Sequence, residues 1–422
     1  MAEDLSGGLQ SRLRRCESDP RLHYVKRCLV LVSERGLGWL RKKVESMRSF
    51  GGSLLGYVGL PVEARGGNVV KLDSNENFFV DADFLRQVFA EVLKDVDLRL
   101  YDPGVMAELK EALGKYVGVS GGCVCVGSGA EHLIDFLVQF FLSAGDEAVS
   151  VVPSFFMYEK RVWLSGAKLI AVPLKKDLSL DVDGILEKTS EKTRLIFVCS
   201  PNNPTGNEFS WEDIEALADG CSAVVVVDEA YAEFGGGSVC SKTIEKENVI
   251  AVKTFSKAFG LAGLRFGYFV ANRDLASALS EAIPYTVSPV VAHFVQRLLN
   301  RFDVVKGWIE GVKGERERLL SELRSLRQMK VFDSKANFVT FKPKADVERV
   351  YRGLLKMGVV VKDLGDLPLI GHCLRVTTGL PHMNDKFLYA LKHILKENER
   401  LLARASGLRG LYAFKFDAVS IP

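Results

Sequence analysis

The sequence predicts an α/β fold, with a mostly parallel sheet covered by helices and a smaller α+β part after it. Three observations predict it. First, short apolar runs rich in valine and isoleucine recur at Ala148 to Val152, Leu169 to Val172, Leu195 to Val198, Ala223 to Val227 and Val249 to Val252. Continuous rather than alternating apolar character marks strands buried on both faces. Second, helical stretches separate these runs from about residue 105 onward, the alternation that builds parallel sheets. Third, residues able to do chemistry stand at or just beyond the ends of the runs, where open α/β sheets place their ligands.

Taken in order, residues 1–66 stand apart as an N-terminal extension or arm. Within them Trp39 to Met47 has the pattern of an amphipathic helix, and glycine breaks follow at Gly51-Gly52 and Gly66-Gly67. A large domain is expected over residues 67–300, although residues 69–77 are expected to join the small domain or the arm. Inside it Val126 ends a strand that turns through Gly127-Ser128-Gly129 into a helix. From about residue 285 the texture changes, and residues 301–422 are expected to form the small domain. A helical stretch runs from Pro289 through Arg327 with a break near Asp303. A strand at Phe338 to Phe341, a helix over Val347 to Met357, strands near Val359 and Leu374 and a last helix from Asp385 complete it. Arg409 to Pro422 reads as strand-like.

With 422 residues the chain can bury a large core. Its 56 basic and 53 acidic residues leave a formal charge of only +3, which gives no case for a nucleic-acid or anionic-membrane partner. The eight cysteines show no Cys-x-x-Cys spacing, and the six histidines show no metal spacing, so no metal is expected. Cys123 and Cys125 alternate along one strand and read as small apolar side chains in a reduced interior. His132, which opens the helix after the glycine turn, reads as a capping or surface residue. No stretch is long enough to span a bilayer, and Met1-Ala2-Glu3-Asp4 lacks the basic head and apolar centre of a leader. A cytoplasmic enzyme is the expectation.

Lys257, in Thr254-Phe255-Ser256-Lys257, carries the chemical argument. Upstream lie Pro201-Asn202-Asn203-Pro204-Thr205-Gly206 and Asp228-Glu229-Ala230-Tyr231, and downstream lies Gly263-Leu264-Arg265-Phe266-Gly267. Each piece alone is ordinary: a turn, a strand-end acid pair, a surface lysine. Together they match the needs of pyridoxal 5′-phosphate. Its aldehyde needs an amine of lowered pKa, which Lys257 offers. Its ring nitrogen needs a buried carboxylate to stay protonated, which Asp228 offers at the end of a valine run. Its ring oxygen needs hydrogen-bond donors such as Asn203 and Tyr231. Its phosphate needs cations, hydroxyls and amides, which Arg265, Ser256 and the helix start after Gly129 offer.

These motifs resemble the class I and II aminotransferases of the pyridoxal-phosphate fold type I, and within them the histidinol-phosphate aminotransferases. The resemblance extends over residues 68 to 400 through Lys71 to Asn77, Arg99-Leu100-Tyr101-Asp102-Pro103, Pro153 to Tyr158, Ala336-Asn337-Phe338 and Leu374-Arg375-Val376-Thr377. It implies a seven-stranded, mostly parallel sheet flanked by helices and a discontinuous small domain. It also implies that Lys257 holds the cofactor and then moves a proton, with Asp228 on the ring nitrogen and Asn203 and Tyr231 on the ring oxygen. Ser256, Arg265 and the amides of Ala130 and Glu131 would hold the phosphate. Phe155 stands where the family has a stacking tyrosine, so it stacks without donating a hydrogen bond. Tyr101 would reach the phosphate in the neighbouring subunit of a homodimer. Arg375 would fork onto the substrate's anionic group, with Asn75 and Lys362 beside it, Lys362 replacing an arginine common in relatives.

The reaction implied is transfer of an amino group from L-histidinol phosphate to 2-oxoglutarate, as in histidine biosynthesis. A threonine-phosphate decarboxylase and an aromatic amino-acid transaminase share the same electron sink, and the residues leave these open. A non-catalytic binding module is disfavoured because Lys257, Asp228, Tyr231 and Arg265 are all present.

Overall fold

The computed structural model describes residues 69–283 and 286–413 together with positions 42 and 45, with side chains placed to residue 397. Two compact units divide the chain, Met1–Gly59 and Leu60–Pro422, and both sheets belong to the second. Of the arm expected over residues 1–66, only Lys42 and Glu45 are described, both helical, and the glycine breaks lie outside the described residues.

Strand β1 (Val70–Leu72) precedes α1 (Ala82–Val92) and α2 (Pro103–Val117). Asp81 and Asp102 cap these helices by accepting backbone N–H bonds, and Pro103 sits where a missing N–H costs nothing. Next come β2 (Val124–Gly127), α3 (Ala130–Phe141), β3 (Glu147–Val152), α4 (Met157–Ser165), β4 (Lys168–Pro173) and α5 (Val182–Leu186). They lead to β5 (Thr193–Cys199), α6 (Trp211–Gly220), β6 (Val224–Asp228), α7 (Cys240–Thr243), β7 (Val249–Thr254), β8 (Gly267–Val270) and α8 (Arg273–Ala282). The remainder is α9 (Pro289–Leu299), α10 (Phe302–Ser325), β9 (Met329–Val331), β10 (Phe338–Pro343), α11 (Val347–Lys356), β11 (Val359–Leu367), β12 (Gly371–Thr377) and α12 (Pro381–Ala413).

Strands β2-β8-β7-β6-β5-β3-β4, in that order, form a seven-stranded sheet. Every pairing from β7 to β4 is parallel, and β8 runs antiparallel to both its neighbours. The valine runs are its centre: Val225, Val226, Val227, Ile250, Ala251 and Val252 are all fully buried. Burying each valine or isoleucine completely contributes roughly 1.5–3 kcal/mol, so this sheet is a rigid platform. The parallel strands point their carboxyl ends the same way, and Cys199 is the register partner of Asp228 there.

A second sheet has the order β1-β11-β12-β10-β9. Its β1 pairs parallel with β11, so residues 70–72 join the C-terminal strands. Arg375 on β12 is flanked in register by Lys362 on β11 and Thr340 on β10.

One local expectation changes. The strand-like reading from Arg409 is wrong as far as Ala413, where α12 continues; the residues beyond lie outside the described part. Helical continuation satisfies the backbone of Arg409 to Ala413 locally, without the partner strand an extended segment would need.

Candidate active site

Four chain segments converge at the carboxyl end of the parallel strands. The first follows β7. Thr254 accepts the amide of Ser256 at 3.1 Å and donates to its hydroxyl at 3.0 Å, and this tight turn presents Lys257. Half-buried Lys257 donates from Nζ to the carbonyl of Ser74 at 2.9 Å. Burial of the amine, reinforced by Arg375, Lys71 and Arg265 and opposed by Glu76, lowers its pKa to about 8.

The second segment follows β6. Asp228 is buried, its Oδ1 accepts the amide of Ala230 at 3.0 Å, and its Oδ2 accepts the hydroxyl of Tyr158 at 2.6 Å. Burial pushes its carboxyl pKa up, against the pull of the Tyr158 hydrogen bond. Tyr231 is also buried, with the Lys257 amine 6.0 Å from its ring centre, and its hydroxyl accepts from the side-chain amide of Asn75 at 3.0 Å.

The third is the loop after β5. Asn202 stitches it together by donating to Pro153 and Thr205 and accepting from Ser154. That leaves Asn203 to face Arg375, whose guanidinium donates to its carbonyl oxygen at 2.5 Å. Arg375 also donates to the carbonyl of Asp73 at 2.9 Å and lies over the ring of Phe338 at 5.2 Å. Burial, with Arg375 close by, lowers the pKa of neighbouring Lys362.

The fourth is the start of α3. Gly129 has φ 92°, a left-handed value that glycine adopts without strain, and a Cβ there would come within 3.0 Å of the Arg265 guanidinium. A Cβ on Gly267 would lie 2.7 Å from the amide nitrogen of Ala130. Two glycines therefore let a helix start, with its unpaired amides, meet Arg265 and Ser256, the latter two 3.4 Å apart. This is a cradle for an anion.

Asn75 anchors the small-sheet side. Its amide donates to Thr377, its carbonyl accepts from Asn337 at 2.9 Å, and its φ of 56° is the left-handed value that asparagine tolerates best among residues with a side chain. The structure therefore brings Lys257, Asp228, Tyr231, Asn203, Asn75, Arg375 and Lys362 into one connected neighbourhood. Ser256, Arg265 and Ala130 form its anion cradle. The carboxylate of Glu131 turns to Arg161 at 2.9 Å, which leaves only its amide for that cradle. Half-buried Phe155 packs edge-on against Tyr158 at 5.5 Å. Tyr101 differs from the rest in being 87% exposed.

Tyr158 and Asn337 fall within the motifs Pro153 to Tyr158 and Ala336-Asn337-Phe338, whose residue types point to no role for either. Tyr158 lies three residues after Phe155 on the first turn of α4, a spacing that hints at a shared face. Nothing in that spacing names its partner Asp228, 70 residues away.

The donor set fits pyridoxal 5′-phosphate. A buried carboxyl whose charge is penalised by burial suits a cationic ring nitrogen, whose positive charge would restore the ionised form, an amine of lowered pKa suits an aldehyde, and the glycine-lined cradle suits a phosphate. Residues 67–394 match the family model of the aminotransferases of class I and II. The chain belongs to this family. Among proteins similar to this aminotransferase is the histidinol-phosphate aminotransferase of Thermoanaerobacter sp. (strain X514). It is 37% identical over 328 residues, which are 77% of this chain and 93% of that protein. Histidinol-phosphate aminotransferase 1 of Archaeoglobus fulgidus is 36% identical, over 78% of this chain and 99% of its own length. Histidinol-phosphate aminotransferase from Sinorhizobium meliloti, solved in complex with pyridoxal 5′-phosphate, superposes with a TM-score of 0.73 at 25% identity. It covers 81% of this chain and 95% of that one. The expected family, fold type and transaminase activity are thereby met.

Proposed function

We propose that this aminotransferase moves the amino group of L-histidinol phosphate to 2-oxoglutarate, as in histidine biosynthesis, and works in the cytoplasm as a homodimer. The hydrogen bond between Arg375 and Asn203 carries the reading. It ties the residue suited to a substrate anion to the residue suited to the cofactor's ring oxygen, so substrate and cofactor would be positioned by one network.

Bound pyridoxal phosphate supplies an aldehyde and a ring that accepts the electron pair released at the substrate α-carbon. Lys257 would hold the aldehyde while no substrate is bound; its freed Nζ would then take the proton from the substrate α-carbon and deliver it to the carbon that had carried the aldehyde. Asp228, held in place by Tyr158 and the amide of Ala230, would keep the ring nitrogen protonated. Tyr231, oriented by Asn75, and Asn203 would donate to the ring oxygen, and Phe155 would stack on the ring. Ser256, Arg265 and the amides of Ala130 and Glu131 would hold the phosphate, with Tyr101 of a second copy completing the set. Arg375 and Lys362 bind the anionic ends of both substrates in turn.

Residues 67–300 would then serve as the cofactor-binding domain and residues 301–422 as the small one, with β1 contributed to the latter from before the boundary. Exposed Phe89, Leu93, Leu98, Leu100 and Tyr101 supply the apolar surface a dimer would cover. A half-reaction screen tests the substrate. The loaded protein is mixed separately with histidinol phosphate, threonine phosphate, phenylalanine and glutamate, and the cofactor's absorbance is followed. The reading requires rapid conversion with histidinol phosphate and glutamate. Carbon dioxide release from threonine phosphate without amino transfer would make the protein a decarboxylase instead.

A further inference from the structure

Behind the Asp228–Tyr231 turn lies a buried ionic cluster that none of the roles above uses. Nζ of Lys253, on β7, lies 2.9 Å from Glu233 and 3.3 Å from Glu229, and all three side chains are at least nine-tenths buried. Burial works against the ammonium, but Glu233 and Glu229 outweigh it and raise its pKa well above the ordinary lysine value. Glu229 also accepts from the hydroxyl of Ser238 at 2.5 Å and the amide of Val239 at 2.6 Å, with the thiol of Cys240 at 3.6 Å. Tyr116, from α2, reaches Glu233 at 3.5 Å, and Tyr268 on β8 is the register partner of Lys253.

We propose that Lys253 is a positioning residue, whose grip on Glu229 and Glu233 fixes the turn bearing Asp228 and Tyr231 against the segment bearing Lys257. The proposal rests on the cofactor roles given above for those three residues. The covalent arrangement makes the case. Glu229 and Glu233 bracket Ala230 and Tyr231, so one ammonium holds both ends of the turn. Lys253 itself is four residues before Lys257 on the same segment. The clamp therefore sets the separation between the Tyr231 ring and the Lys257 amine, 6.0 Å here.

Stability alone does not account for such a cluster. An apolar set of similar volume is often as stable as a buried ion triad or more so. Among the described residues this one also leaves Oε2 of Glu233 and the hydroxyl of Tyr268 buried without a hydrogen-bond partner. What the ions add is direction. Two charge-assisted contacts from one point fix a turn in a way that apolar contacts, which slide, do not.

The test compares Lys253→Met, Lys253→Arg, Tyr231→Phe and the Lys253→Met/Tyr231→Phe double variant in the cofactor-loaded protein. Readouts are kcat, KM and the pH midpoint of the cofactor's visible absorbance. A Tyr231 hydroxyl held on the ring oxygen stabilises its ionised form, so displacing Tyr231 makes the proton bind more tightly and moves the midpoint upward. The expectation for Lys253→Met is a fall in kcat of about tenfold or more with little change in KM, and a midpoint raised by about one pH unit. Lys253→Arg should recover much of both. The double variant should be no worse than Tyr231→Phe, because both changes remove one interaction. A lowered melting temperature with kcat and midpoint unchanged would reduce Lys253 to a structural residue, and losses that multiply in the double variant would show that it does not act through Tyr231. Should Lys253→Met not fold, Glu233→Gln removes one arm of the clamp. A raised midpoint there supports the proposal and an unmoved one overturns it. A wild-type protein with no visible cofactor band would refute the cofactor reading itself, a separate outcome from an unmoved midpoint.

Discussion

The hydroxyl of Tyr158 donates to Oδ2 of Asp228 at 2.6 Å, and the Tyr158 ring stacks on Phe197 at 4.7 Å between centroids. The stacking fixes the direction of the hydroxyl, so the carboxylate is aimed by a rigid partner rather than by a mobile one. Tyr158→Phe keeps the stack and removes the donor. A buried acceptor left unpaired costs about 1–3 kcal/mol, so denaturant unfolding should show a loss of that size. With Asp228 less firmly aimed, kcat should fall by roughly tenfold. A variant with wild-type stability and turnover would show that the amide of Ala230 is sufficient.

Reactivity of Lys257 should follow its lowered pKa. Below about pH 8 the amine of the cofactor-free protein is protonated and does not attack an aldehyde. The rate of pyridoxal phosphate capture by the stripped protein should therefore rise with pH and level off above about 8. Stability has the same origin. Between about 8 and 10.5 the unfolded chain holds a proton that the folded protein lacks, so this group makes stability increase with pH across that window. Stopped-flow absorbance gives the capture rates. A midpoint near 10.5 would mean that burial and the Arg375 field do not act on Lys257. In Lys257→Ala, borohydride reduction should leave no pyridoxyl-lysine peptide, and finding one would move the attachment to another lysine.

The residues that were legible in the sequence are those whose role follows from position along a strand. Val224 to Val227 announce a strand buried on both faces, and Asp228 follows as its carboxyl end. The same reasoning holds for Val249 to Val252 and for the turn to Lys257. Positions fixed by contacts across the fold were not legible. Tyr158 meets Asp228, Arg375 meets Asn203 across 172 residues, and Lys253 meets Glu229 and Glu233, none at a spacing that a helix or strand imposes. Strand β8 was hidden for a different reason. Gly267 is required there by the close approach of Ala130 and Lys253, which leaves only Tyr268 to Val270 as an apolar run, shorter than the valine-rich runs of the neighbouring strands.

Arg375 should matter for both substrates. Its guanidinium is held by Asn203 and the carbonyl of Asp73 and lies beside Lys362, an arrangement that keeps it aimed before substrate arrives. Losing a charge-assisted contact in Arg375→Ala should lower kcat/KM on the order of a hundredfold for histidinol phosphate and for 2-oxoglutarate alike. Arg375→Lys should recover only part, since one ammonium cannot reproduce the two-pronged geometry. Steady-state kinetics with each substrate varied in turn decides this, and unchanged efficiency for both would remove Arg375 from the anion site.

Subunit exchange tests the shared active site. Tyr101 is 87% exposed, and Leu98 and Leu100 beside it are 72% and 62% exposed. If a second copy covers them, Tyr101 serves the partner's phosphate cradle, and each site needs Lys257 from one copy and Tyr101 from the other. Tyr101→Ala and Lys257→Ala should each be severely impaired as pure proteins. Mixed one to one and allowed to exchange, half of the dimers contain one of each, and one of the two sites in such a dimer has both residues intact. Activity should therefore recover to roughly a quarter of the wild-type value. Tyr101 acting within its own subunit would give no recovery on mixing, and a fully active monomer by light scattering would dispose of the shared site altogether.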